Sequence, residues 1–167
     1  MLRFPLLFTF LFTTIFAQQE SERFPFIGAT LSTHAIDIKS MDQTYNQNET
    51  LLGFRYGKQT VDWRTVFTLS GNNDLQTFAM EIDKILLDEL FGTPKVRPYL
   101  GATIGYLHYD KDASSDNDGF YYGGNLGFLI YATATVDVDL SYHYYKVSGL
   151  DPLDTMQGAS LSLHYFF

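Results

Sequence analysis

The sequence predicts an all-β chain in which eight antiparallel strands, connected up and down in chain order, close into a transmembrane β-barrel. Three observations lead to this prediction. Short segments alternate apolar and polar residues, glycines gather on the polar side of those segments, and aromatic residues make up 17% of a chain that has no cysteine. A chain of 167 residues suffices for one domain with about eight membrane-crossing strands.

The last segment, 157–167, shows the alternation most fully. Its apolar face carries Ala159, Leu161, Leu163, Tyr165 and Phe167, whereas the opposite face is mostly small or polar. A strand of about 10 residues with an apolar outer face can cross a bilayer, and only closed barrels cross one with strands. We therefore expect lipid around the apolar face.

Seven earlier segments alternate in the same way. We predict strands at 26–36, 50–58, 61–69, 75–84, 97–109, 119–131 and 135–144. In all the strands together, the glycines of the polar face are Gly28, Gly53, Gly57, Gly101, Gly105, Gly123, Gly127 and Gly158. Because small residues fit the concave inside of a narrow barrel, the polar face is placed inside.

The stretch after the fourth strand is ambiguous. Apolar residues at Phe78, Ile82, Ile85 and Leu86 also fit helical spacing, so a short helix at 83–90 stays open beside a strand followed by a long turn. Pro98 must lie at a strand entry or a bulge, since proline cannot donate to a ladder.

The predicted connections alternate in length. Long loops at 37–49, 70–74, 110–118 and 148–156 follow odd strands, and short turns at 57–60 and 132–133 follow even ones. With both termini on one side of the membrane, the long connections are extracellular and the short ones periplasmic.

Residues 1–17 form a predicted secretory signal peptide, and 18–167 form the barrel domain. Arg3 precedes an almost wholly apolar run, and Ala17 precedes a polar stretch that suits cleavage. The alternative, an N-terminal membrane anchor, has too short an apolar run to span a bilayer comfortably.

Charged residues also fall on the inward face. They are Arg55, Arg64, Glu81, Asp83, Asp137 and Asp139, and His34, His143 and His164 share that face. Because an eight-stranded barrel has room only for side chains, we predict that the arginines pair with acids of the fourth and seventh strands as a polar plug. A narrow ion path is the alternative.

Two binding functions are weighed against simpler interpretations. The loop from Asp110 to Gly119 is rich in oxygen ligands and contains Asp116-x-Asp118-Gly119, but it lacks the closing glutamate of a calcium loop, so a solvated loop is favoured and no metal or cofactor is predicted. The formal net charge of −8 argues against binding nucleic acid.

The alternative is a soluble lipid-binding barrel of the lipocalin kind, in which the apolar face of every strand would point inside and the polar face outside. The inward glycines, the aromatic excess and the terminal Phe167 oppose it.

Three stretches resemble the small eight-stranded outer-membrane barrels of Gram-negative bacteria, the OmpA/OmpX-type and "porin family" domains. They are the segment from Tyr99 to Tyr106, the segment from Tyr121 to Gly127, and the terminal Tyr165-Phe166-Phe167. The resemblance implies a monomeric outer-membrane protein with a structural or surface-interaction role, or else a narrow porin-like channel. It also implies contacts with outer-membrane lipids and lipopolysaccharide, and handling by periplasmic chaperones and the barrel-assembly machinery, which would read Leu163, Tyr165 and Phe167.

Some members of that family are lipid A-modifying enzymes that use His with Ser and an acid. This chain has His143, Ser141 and Asp139 on one face of one strand. Side chains at i and i+2 of a strand line up rather than converge, so we predict that the chain is not an enzyme.

Overall fold

The computed structural model describes residues 24–40, 43–86, 95–110, 117–150 and 153–167. These form eight strands: β1 (Phe24–Ser40), β2 (Gln43–Gln59), β3 (Trp63–Gly71), β4 (Leu75–Ile85), β5 (Val96–Tyr109), β6 (Asp118–Tyr131), β7 (Val136–Ser148) and β8 (Leu153–Phe166). No helix in these ranges is both long and apolar enough to cross a membrane.

Each strand pairs antiparallel with the next one in the chain, and β8 pairs with β1, which closes the barrel. The predicted all-β, up-and-down, eight-stranded architecture is therefore confirmed. We call the end with the connections at 60–62 and 132–135, together with Phe24 and Phe167, the turn end. The opposite end is the loop end.

The period-two patterns give the correct faces. In β4, for example, Phe78 and Ile82 are exposed on the outside, whereas Ala79, Glu81 and Asp83 are buried inside. Parity places a side chain inside or outside because successive side chains of a strand point to opposite faces.

Two connections predicted as long loops are largely strand. β1 continues to Ser40 and β2 starts at Gln43, so the predicted loop at 37–49 is wrong. The predicted loop at 148–156 is wrong in the same way, because β8 begins at Leu153. Both segments are mostly polar in sequence and thus lack the apolar face that marks the other strands.

Side-chain hydrogen bonds stabilise two short turns, one between β2 and β3 and one between β3 and β4. At 60–62, Thr60 Oγ1 accepts from the backbone N–H of Trp63 at 3.0 Å. At 72–74, Asn72 Oδ1 accepts from the N–H groups of Asp74 and Leu75 at 2.9 and 2.7 Å. Asparagine and threonine favour turns because their oxygens replace a missing backbone partner.

The region that was ambiguous in sequence is partly described. Residues 83–85 belong to β4, so a helix starting at 83 is wrong, and 87–94 lie outside the described residues. Pro98 lies three residues into β5. Residues 111–116 of the acidic loop and the whole predicted signal peptide also lie outside the described residues.

Candidate functional site in the barrel interior

The register of β3 and β4 places two of the predicted inward charges side by side. Arg64 is the direct partner of Asp83, and Glu81 lies two residues further along the same face of β4. Arg64 Nε donates to Asp83 Oδ2 at 2.7 Å, and Arg64 Nη2 donates to Glu81 Oε1 at 3.2 Å. The Arg64 guanidinium thus lies between two carboxylates of the neighbouring strand.

Asp139 of β7 completes this group from across the barrel. Its Oδ2 lies 2.9 Å from Arg64 Nη1 and accepts from Arg55 Nη1 at 2.8 Å. Arg55, on β2, also donates to Glu81 Oε1 at 2.9 Å. Side chains of β2, β3, β4 and β7 therefore meet in one cluster of ion pairs, which we call the charge cluster: Arg55, Arg64, Glu81, Asp83 and Asp139.

Neutral side chains also bind to the charge cluster. Tyr99 donates its hydroxyl to Asp139 Oδ1 at 2.8 Å, and its ring centre lies 4.5 Å from the Arg64 guanidinium carbon. Asn125 donates to Asp83 Oδ1 at 3.0 Å. Ser162 accepts from Arg55 at 2.9 Å. The sequence reasoning missed Tyr99 and Asn125 as members of the site, although both have inward parity.

Glycine makes room for this arrangement. A Cβ on Gly101 would meet the Asp83 carboxylate and the Asn125 amide, so a larger residue opposite Asp83 in β5 would displace these two side chains. The inward glycines are therefore a condition for placing large charged side chains in a narrow barrel.

Asp137 does not join the charge cluster. Its Oδ1 lies 2.7 Å from Nδ1 of His164, its direct partner on β8, and both side chains are fully buried. The Phe26 ring covers this pair, with its centre 4.6 Å from that of His164. The structure therefore brings five of the six predicted charges together and gives the sixth a separate partner.

A second polar group lies toward the loop end. His143 Nε2 lies 2.9 Å from His34 Nδ1, and His34 Nε2 lies 3.0 Å from the Ser32 hydroxyl. Tyr145 stacks on His143 with ring centres 4.9 Å apart. These side chains border a cavity of about 50 Å³ that also touches Arg55 and Glu81. A polar cavity of this size has room for ordered water.

Apolar clusters lie on both sides of the polar interior. Toward the loop end, twelve buried residues form a single apolar cluster: Ile36, Leu51, Leu75, Ala79, Leu107, Tyr109, Tyr121, Tyr145, Val147, Leu150, Leu153 and Met156. We call this cluster the loop-end cap. Toward the turn end, Ile85, Tyr99 and Leu129 form a smaller cluster against which Tyr131 packs. The sequence analysis did not predict either cluster. Extending the period-two alternation to the ends of each strand would have placed these residues inside.

The candidate catalytic residues are engaged elsewhere. Ser141 shares a hydrogen bond of 2.6 Å with Ser160, and His143 bonds to His34. Asp139 is held by the two arginines and Tyr99. No Ser–His–Asp relay links the three residues. In the described part of the chain, no group of three or more His, Cys, Asp or Glu residues converges to hold a metal.

No protein-family model matches this chain, and no curated protein matches its sequence. Solved structures do match. Neisserial surface protein A (NspA) aligns with a TM-score of 0.60 at 18% identity, covering 85% of this chain and 97% of its own. Outer membrane protein H (OprH) of P. aeruginosa aligns with a TM-score of 0.64 at 19% identity, covering 86% and 99%.

The N-terminal β-barrel domain of Pseudomonas aeruginosa OprF aligns with a TM-score of 0.52 at 16% identity, covering 83% of this chain and 97% of its own. This chain has the fold of the small eight-stranded outer-membrane barrels. At these identities the likeness concerns the fold alone, so the role of this outer-membrane-type barrel must be argued from its own residues.

The outside of this outer-membrane-type barrel is apolar over most of its height. Large apolar side chains are exposed on every strand, among them Leu31, Leu52, Leu69, Phe78, Ile104, Leu126, Leu140 and Leu161. The three residues that the barrel-assembly machinery is expected to read lie on this face near the turn end. Leu163, Tyr165 and Phe167 are 55%, 53% and 64% exposed. The barrel is thus polar in its centre and apolar on its surface.

Proposed function

We propose that this chain is an integral outer-membrane protein of a Gram-negative bacterium. A signal peptide at residues 1–17 directs its export, and residues 18–167 form the barrel domain. The observation that carries the proposal is the apolar exterior around a charged interior. A water-soluble protein rarely exposes a continuous apolar surface of more than a few hundred Å², whereas a membrane barrel needs an apolar band about 25 Å tall.

We propose a structural or surface-interaction role rather than transport. The charge cluster lies in the middle of the barrel, with the loop-end cap on one side and the smaller cluster of Ile85, Tyr99 and Leu129 on the other, which supports this proposal. An ion would have to break buried ion pairs and cross apolar layers, each of which opposes conduction. This favours the plugged interior over the narrow porin-like channel.

Conductance across a planar bilayer tests the choice between plug and channel. We expect no unitary current steps from the purified barrel. As a positive control, the variant R55A/D139A/L51A should admit steps, since it removes one arginine together with its carboxylate partner and one buried side chain of the cap. Heated and unheated electrophoresis shows whether this variant is folded. Regular steps from the unmodified chain would instead support the porin-like alternative.

We propose that the chain is not an enzyme, because Ser141, His143 and Asp139 each have other partners. A lipid A-modifying activity would have to use other residues. Mass spectrometry of lipid A from cells with and without the protein tests this: altered acyl chains that depend on the protein would overturn the proposal.

Assembly is proposed to use periplasmic chaperones and the barrel-assembly machinery, with Leu163, Tyr165 and Phe167 as the signal. The position of these three side chains on the same outer face at the end of the chain supports this, because one face of the last strand then presents all three together. Lipids and lipopolysaccharide are the proposed surroundings of the folded monomer, with the loop end outside the cell.

A further inference from the structure

The charged side chains at the turn end of the barrel are mostly basic. Among the described residues there that reach solvent, four side chains are basic and one is acidic: Lys58, Lys84, Lys95, Arg97 and Asp62. The loop end has the opposite balance, with Asp37, Asp74, Asp110, Asp118 and Asp154 against Lys146. The turn end therefore offers positive charge to an anionic partner.

Two of these lysines project from the outer wall on either side of β3. Lys58 of β2 is the direct partner of Thr65, and Lys84 of β4 is the direct partner of Trp63. The spacing of strands and of residues along a strand puts the two lysine Cα atoms about 12 Å apart. Two flexible four-carbon stems can close this gap from both sides, so a group of the size of a phosphate can contact both ammonium groups.

Trp63 lies between the two lysines on the outer face. Its side chain is 52% exposed, and Lys84 Nζ lies 4.9 Å from the centre of its ring. Tryptophan is enriched where a membrane protein passes from hydrocarbon to headgroups, because its ring is apolar and its N–H is polar. Trp63 therefore marks the height at which lipid headgroups meet this wall.

The apolar wall begins next to the lysines, on the side toward the loop end. Ile82 is the β4 partner of Thr65, and the next pair on the same outer face of β2 and β3 is Tyr56 and Phe67. All three of these apolar side chains are exposed. A free anion would use only the lysines, whereas a phospholipid would use both surfaces, with its phosphate at the lysines and its acyl chains on the wall.

One carboxylate opposes an anion at this place. Asp62 Oδ2 lies 3.4 Å from Lys84 Nζ, and the two side chains are 45% and 42% exposed. Exposed ion pairs are weak, so Lys84 can turn toward a phosphate at little cost. Together Lys58, Lys84 and Asp62 carry a net charge of about +1 at neutral pH, which favours an anionic headgroup over a zwitterionic one.

We propose that Lys58, Trp63 and Lys84 form a binding site for an anionic phospholipid on the outer wall, with the lipid phosphate between the two lysines. This inference rests on the proposed function, because that function places the wall in a membrane and the turn end in the leaflet that faces the periplasm. That leaflet of an outer membrane is made of phospholipid.

The chain has a built-in reporter for this site. Trp63 is its only tryptophan, so tryptophan fluorescence comes from the site alone. The test reconstitutes the barrel in phosphatidylcholine vesicles that contain an equal fraction of either brominated phosphatidylglycerol or brominated phosphatidylcholine, and it measures quenching by each. We expect phosphatidylglycerol to bind next to Trp63 about fivefold more strongly than phosphatidylcholine, with a preference that weakens at high salt.

Charge variants test which side chains produce the preference. K58Q/K84Q should reduce it to less than about twofold. D62N should increase it, because this variant removes the opposing carboxylate and leaves both lysines in place. The matched control is K146Q, which removes an exposed lysine from the outer wall at the loop end and should leave the preference unchanged. Heated and unheated electrophoresis shows whether each variant is folded.

Three results would overturn the proposal. The first is equal quenching by the two brominated lipids, and the second is an undiminished preference in folded K58Q/K84Q. The third is displacement of brominated phosphatidylglycerol by lipid A more effectively than by unbrominated phosphatidylglycerol, which would assign the site to lipid A phosphates instead. Equal quenching leaves the proposed function intact, whereas no quenching by either lipid would contradict the lipid-facing wall and the proposed function with it.

Discussion

Arg64 Nε lies 2.7 Å from Asp83 Oδ2 across β3 and β4, and neither side chain is exposed to solvent. Both groups also have further partners, Asp139 and Glu81 for the arginine and Asn125 for the aspartate. The cluster holds two arginines and three carboxylates, so removing Arg64 leaves three buried carboxylates with a single guanidinium.

We therefore expect R64M to destabilise the barrel by about 3–5 kcal/mol, because Asp83 loses its arginine partner and Glu81 and Asp139 keep only Arg55 in a site that excludes water. Urea-dependent unfolding in lipid vesicles measures the change in the free energy of unfolding.

The matched control is D118N. Asp118 lies at the loop end, where its carboxylate is about half exposed and pairs with His108 at 2.7 Å. Exposed pairs contribute about 0–1 kcal/mol, so D118N should have little effect. Equal stability of R64M and the unmodified chain would contradict the buried charge cluster.

Two glycines on paired strands give a second prediction. A Cβ on Gly101 would collide with the Asp83 carboxylate, whereas the nearest atom to a Cβ on Gly124 is Gly101 O at 3.6 Å. G101A should therefore cost about 1–3 kcal/mol through overpacking. G124A should be nearly neutral. Thermal unfolding followed by circular dichroism compares the two variants, and a G101A barrel as stable as G124A would argue against close packing around Asp83.

The outer face gives a third prediction. Leu140 is 49% exposed in β7, in the part of the wall that we place in the bilayer. L140R should destabilise the inserted barrel by about 2–4 kcal/mol, because an arginine near the membrane centre loses its hydration. N48R adds the same charge to the outer face beyond the proposed membrane and should leave stability unchanged. If both variants insert with equal stability, the lipid-facing assignment is wrong.

The last residue gives a fourth prediction. Phe167 is exposed on the outer face, whereas the Phe166 ring packs 5.3 Å from that of Phe26. If Phe167 is read during assembly, F167A should slow insertion by purified barrel-assembly machinery while leaving the stability of the assembled barrel almost unchanged. F166A should do the reverse. Unchanged insertion kinetics for F167A would remove Phe167 from the proposed signal.

Much of the fold could be predicted from the period of two. Leu161 and Leu163 alternate with Ser160 and Ser162, and this local signal gives both the strand and its faces. The segment from Asn46 to Glu49 has no such signal, since both of its faces are polar, and it was mistaken for a loop. This segment is a strand because it pairs with β1, and the pattern of its own residues carries no sign of that pairing.

The interior was predictable in kind but not in pairing. Parity identifies Arg64, Asp83 and Asp139 as inward, yet the choice of partners depends on register and on reach across the barrel. Asp137 and Asp139 point to the same face of β7, so parity does not distinguish them. Only the register of β7 against β8 shows that Asp137 lies opposite His164 and bonds to it. Tyr99 reaches Asp139 across the interior, from a strand two positions away.

The central claim is that the apolar wall contacts lipid and the charged side chains are enclosed. Its most direct test is flotation of the mature chain, refolded by dilution from urea with phospholipid vesicles and without detergent. We expect the protein to float with the vesicles, to resist extraction by alkaline carbonate, and to migrate differently on a gel when left unheated. A chain that stays in the aqueous fraction as a folded monomer would contradict the claim.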